Sequence, residues 1–121
     1  MSLTVSIRNV GAVTVVDIIG RIVLGEESAS LRTLVVDLLS KGNNKILFNL
    51  AHVDYIDTTG LGLLISSLLK VRMQKGELKL TNLSGKLQDV MQITKLYTVF
   101  EIFEDEAAAL RSFDQSSTAK A

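Results

Sequence analysis

The chain has 121 residues, 47% hydrophobic and 21% charged, with thirteen basic and thirteen acidic side chains that cancel. That length suits one domain, and the even balance of charge excludes the strong basic field expected of a nucleic-acid-binding or membrane-surface protein. Cysteine is absent, which removes disulfides and thiol chemistry, and no apolar run reaches the roughly 18 residues of a membrane span.

Leu3, Val5 and Ile7 alternate with polar residues and predict a half-buried strand. Asn9-Val10-Gly11 supplies a turn, and Ala12 to Ile19 is apolar and β-branched enough for a second strand, antiparallel to the first. Met1 to Val10 carries Arg8 and Asn9 and lacks the apolar core of a signal peptide, so a cytoplasmic protein is expected. Glu26 to Lys41 predicts a helix. Leu31, Leu34, Val35, Leu38 and Leu39 share one face, Glu26 and Glu27 suit the positive end of the helix dipole, and Gly42-Asn43 closes it.

Ile46 to Ala51 is a short continuous apolar run, as expected of a strand covered on both faces. From Gly60 to Lys75 the residues Leu61, Leu64, Ile65, Leu68 and Val71 repeat at helical spacing, and Gly76 ends the run. Leu63 falls opposite that stripe and is expected at the surface, while Leu69 is assigned to the core. Glu77 to Leu83 predicts a strand, Ser84 to Thr94 a helix with Ser84 as N-cap, and Glu101 to Phe103 a short edge strand. Asp105 to Phe113 is Ala-rich and helical, and Asp114 to Ala121 reads as a flexible tail. Strands and helices alternate, so the fold class is α/β: a mixed β-sheet of four to five strands packed against about four α-helices. One domain over 1–113 is expected, followed by the tail over 114–121.

The stretch Tyr55-Ile56-Asp57-Thr58-Thr59-Gly60-Leu61-Gly62 joins a strand-like run to a helical one. It puts two hydroxyls and a carboxylate beside the unbonded N–H groups of a helix start, which favour negative charge. A hydroxyl there either caps the helix or serves as a phosphoryl acceptor, and the spacing alone does not choose. Gly60 and Gly62 each cost the first helical turn about 1 kcal/mol relative to alanine. Close packing on the sheet, or room above the turn for another molecule, must offset that cost.

Enzymatic chemistries have little support. His52 is the sole histidine, and no Ser sits in a Gly-x-Ser-x-Gly elbow. Asp54 and Asp57 lack a third ligand nearby, and Gly85-Lys86 lacks the remaining residues of a phosphate-binding loop. The expectation is a binding protein without catalytic residues, metal or cofactor.

The segment VDYIDTTGLGLL resembles the signature of STAS domains, the family of bacterial anti-sigma-factor antagonists, commonly written Asp-Ser-Ser-Gly or Asp-Ser-Thr-Gly. GRIVLGEESASLR, ILFNLAHV, GELKLTNL and LQDVMQITKLYTVFEIFEDEAAAL resemble the family's other segments in order and spacing. The resemblance implies a STAS-like fold and a partner-switching role in sigma-factor and transcription regulation. By position, Thr59 would be the phosphoacceptor, with Asp57 and Thr58 supporting the acceptor loop and Gly60, Leu61, Gly62 and Leu63 forming the partner-binding surface. The implied partner is a serine/threonine kinase that is also an anti-sigma factor, with a phosphatase to reset Thr59. No nucleic acid, membrane insertion or homo-oligomer is expected. The alternative is a STAS accessory subunit of a lipid-transport ABC system or signalling scaffold, binding without phosphorylation. Threonine at both hydroxyl positions departs from the commoner serine, and Asn49 stands where many relatives have Asp.

Overall fold

A computed structural model describes residues 3–120, and side chains as far as Phe113. In chain order the elements are β1 (Leu3–Val10), β2 (Val13–Ile22), α1 (Glu26–Ser40), β3 (Lys45–Ile56), α2 (Thr58–Met73), β4 (Glu77–Thr81), α3 (Gly85–Thr94), β5 (Ile102–Phe103) and α4 (Glu106–Lys120), with a 3₁₀ turn at Leu96–Thr98. The five strands form one sheet in the order β1-β2-β3-β4-β5. β1 runs antiparallel to β2 from Val10↔Val13 to Leu3↔Gly20, closed by Gly11 at φ +60°. The other three pairings are parallel, which requires a helix across each crossover. The expected mixed α/β sheet with four helices is therefore present. The expected flexible tail over 114–121 falls on residues whose side chains lie outside the described set.

Strand alternation divides the sheet between two cores. Val16, Ile18, Phe48 and Leu80 face the layer of α1, α2 and α3, where they meet Leu31, Leu64, Leu68 and Leu87. The opposite set, Val13, Val15 and Leu47, meets Ala109 and Phe113 of α4. Successive residues of β3 feed both cores, which explains the unbroken apolar run in the sequence. Polar pairs pin α4 in place as well. Arg8 bonds the carboxylates of both Asp17 and Glu106, joining the hairpin to α4. Lys79, 0% exposed, lies over the Phe113 ring at 4.7 Å and donates to Ser112 at 2.8 Å, with Glu77 at 3.3 Å.

Two local expectations need correction. β3 continues past Ala51 to Ile56, because its pairing with β2 survives two irregularities in register, between Asp17 and Ile19 and between Gly20 and Arg21. The polar side chains of His52 and Asp54 hide this extension from a reading by hydrophobic runs, since both are exposed while Val53 and Ile56 are buried. On α2 the buried stripe is Gly60, Leu63, Leu64, Ser67, Leu68 and Val71, rotated from the stripe expected. The helix rests on the sheet through its small residues. Leu63 is accordingly 1% exposed and Leu69, on the far side, 52%.

Candidate functional site

β2 and β3 are parallel neighbours, so the loops leaving their carboxyl ends lie side by side. Such crevices beyond the ends of parallel strands are where α/β sheets commonly place their sites. One loop leads into α1 and the other into α2, and Asp57 joins them. Its Oδ1 accepts the Gly60 N–H at 2.8 Å, capping α2, and its Oδ2 accepts the Leu24 N–H at 3.0 Å. The Asp57 N–H donates to the Ile22 carbonyl at 3.2 Å, and its own carbonyl accepts the first helical bond from Leu61 at 2.9 Å. The N–H groups of Gly60 and then Leu24 hold the Asp57 carboxyl below the usual carboxylate range.

With Asp57 as the cap, the threonines are released from that task. Neither the Thr58 nor the Thr59 hydroxyl makes a hydrogen bond among the described residues. Thr58 is exposed and lines a groove between α2 and α3 with Tyr55, Leu61, Val90 and Ile93. Thr59 is half-buried and lines a different groove, between α1 and α2, with Leu24, Gly25, Glu26, Ala29 and Arg32.

The two glycines serve opposite ends. A Cβ on Gly60 would sit 2.1 Å from the Ile22 carbonyl oxygen and 2.7 Å from Ile56 Cγ1, so only glycine lets α2 approach β2 this closely. A Cβ on Gly62 would meet nothing within 4 Å, and the residue is exposed. The expected partner-binding surface is therefore corrected. Leu61, half-buried, and Gly62 remain at the surface, but Gly60 and Leu63 are buried against the sheet and cannot touch a visiting molecule.

Two residues that hydropathy and motif spacing overlooked lie beside Thr59. Leu24 is 76% exposed at the tip of the loop that Asp57 holds, and Arg32 lies a little further along α1. Their sequence signal is weak, because a leucine and an arginine beside a helix start look ordinary until the parallel β2–β3 pairing brings the two loops together. His52, aligned with Ile19 of β2, is exposed on the extended part of β3. Among the described residues, no three His, Asp or Glu side chains gather to hold a metal ion, and no helix is long and apolar enough to cross a membrane.

Residues 4–109 match the STAS domain model. The anti-sigma-B factor antagonist of Bacillus subtilis is 38% identical over 72 residues, which are 60% of this chain and 65% of that relative. The match thus spans just under two thirds of the relative's own length. A crystal structure from Thermotoga maritima superposes with a TM-score of 0.85 at 23% identity, covering 91% of this chain and 94% of that one. The Bacillus cell fate determinant SpoIIAA in its phosphorylated form superposes with a TM-score of 0.71 at 18% identity, covering 90% and 98%.

Proposed function

The chain belongs to the STAS domain family, and on that premise we propose that it is an anti-sigma-factor antagonist that binds a serine/threonine kinase/anti-sigma factor and is released by phosphorylation of Thr59. One observation carries the reading: Asp57 caps α2, so both threonine hydroxyls at the helix start are left without a partner among the described residues. A hydroxyl that merely capped would be engaged with a backbone N–H of the first turn. Support also comes from the Bacillus subtilis relative named an anti-sigma-B factor antagonist and from the fold shared with a protein solved in phosphorylated form.

The unmodified surface is small, neutral at its centre and partly apolar. Leu24, Leu61 and the bare turn at Gly62 surround the hydroxyls, and Asp57 fixes the two loops that carry them. The kinase supplies nucleotide and magnesium, so the chain contributes only a positioned acceptor. The Thr59 oxygen attacks the γ-phosphorus of ATP and its proton passes to the kinase's base. The new O–P bond replaces the bond to departing ADP.

Phosphorylation adds about −1.5 to −2 charge close to the Asp57 carboxylate. A partner that buries this charge without a matching cation meets like-charge and desolvation costs of several kcal/mol, and about 1.4 kcal/mol is tenfold in affinity. Release therefore needs no refolding. Hydrolysis of the phosphothreonine by a phosphatase would restore binding, and the cycle belongs in the cytoplasm. Capture on the immobilised protein, followed by incubation with ATP, tests the reading. A kinase of anti-sigma type should be retained and should then leave as residue 59 gains phosphate. Retention of a transporter ATPase, with residue 59 unmodified, would overturn it.

A further inference from the structure

The α1–α2 groove that Thr59 lines also holds one cation and one anion, Arg32 and Glu26, beside Leu24, Gly25 and Ala29. Arg32 is exposed and makes no hydrogen bond or ion pair among the described residues, Glu26 included. A guanidinium without a partner among the described residues, in the groove that half-buried Thr59 also lines, is a cation without a structural task. We propose that Arg32 is the internal counter-ion for a phosphate on Thr59, drawing it into the groove against α1. This inference rests on Thr59 being the modified residue.

Thr59 lines the groove, so a phosphate on it has the groove's open space beside it. The nearby acids, Glu26 on α1 and Asp57 before α2, both oppose its charge. Among the described residues lining the groove, Arg32 is the cation, and its planar guanidinium matches two phosphate oxygens at once. The phosphate would then occupy the part of the groove between Leu24 and Arg32. A partner side chain inserted there would be displaced by occupation as well as repelled by charge. The second proton of the phosphate would also leave more readily with Arg32 present than without it.

The test uses protein with phosphothreonine installed at position 59 during translation and follows the phosphorus resonance through a pH titration. Arg32→Gln should raise the second phosphate pKa by about 0.5, the size expected for loss of one exposed ion pair. Arg111→Gln, an exposed arginine on α4, should leave it in place. An unchanged value in Arg32→Gln, or a change no larger than in Arg111→Gln, overturns the assignment. Because the phosphate is installed without a kinase, a kinase that ignores Thr59 would defeat the proposed function while leaving this titration decisive.

Discussion

Thr58 and Thr59 are consecutive at the start of α2, yet they open onto different grooves, Thr58 toward Val90 and Ile93 of α3 and Thr59 toward Ala29 and Arg32 of α1. Adjacent residues on a helix point about 100° apart, since 3.6 residues complete a turn, so one docking molecule meets the two hydroxyls from different sides. The groove beside Thr58 is bordered by Tyr55, Leu61, Val90, Ile93 and the acidic Asp57, whereas the groove beside Thr59 carries both Glu26 and the cation Arg32.

Acceptor identity can be separated from stability for this reason. Thr59→Ala should abolish incorporation of phosphate by the kinase, and Thr58→Ala should retain it at residue 59, as read by mass spectrometry. Neither hydroxyl is bonded among the described residues, so both variants should unfold within about 0.5 kcal/mol of the parent.

The glycines give a paired prediction. Gly60→Ala places a methyl group against the Ile22 carbonyl and should cost roughly 1–3 kcal/mol as α2 is pushed from the sheet. Gly62→Ala meets open space and should stabilise by up to about 1 kcal/mol through helix propensity while weakening partner binding. Denaturant unfolding checks the first two effects and a binding titration the third.

Asp57→Asn keeps one acceptor for the Gly60 N–H but turns its amide, a donor, toward the Leu24 N–H or leaves that group unpaired. The variant should melt at a lower temperature than the parent at neutral pH. The Asp57 carboxyl is held below its usual range, so its contribution is present above the unfolded carboxylate pKa and is lost as pH falls through the lower folded value. The gap between the two melting temperatures should therefore stay constant from about pH 7 to about pH 5 and narrow below about pH 4.

Much of this arrangement could be read from residue order. The β1–β2 hairpin followed from the alternation of Leu3, Val5 and Ile7 and the turn at Gly11, and Ser84 caps α3 by accepting the Leu87 N–H at 3.4 Å. The Asp-Thr-Thr-Gly junction lies where the strand-to-helix switch was expected. What stayed hidden depended on contacts between distant segments. Gly60 and Ser67 are not hydrophobic, so their burial and the consequent turning of Leu63 inward and Leu69 outward could not be inferred from hydropathy. Likewise, the tie from Asp57 to Leu24 spans thirty-three residues and exists only because β2 and β3 are parallel neighbours.

Lys79 is a second such case, a lysine in β4 with no hydrophobic signal that is nevertheless buried against α4. Lys79→Ala removes both the aliphatic stem packed near Phe113 and the charge facing Glu77, and should cost about 3–5 kcal/mol. Lys79→Met leaves the same Glu77 carboxylate without its cation but keeps most of the packing, so it should lose less than Lys79→Ala by about the packing contribution alone, in the same denaturant experiment.

The most direct measurement is the affinity of the kinase/anti-sigma partner for two forms of the full chain, one unmodified and one carrying phosphate on Thr59. The account predicts that phosphorylation weakens binding at least about tenfold, with the fold unchanged by amide spectra. Equal affinity of the two forms would contradict it.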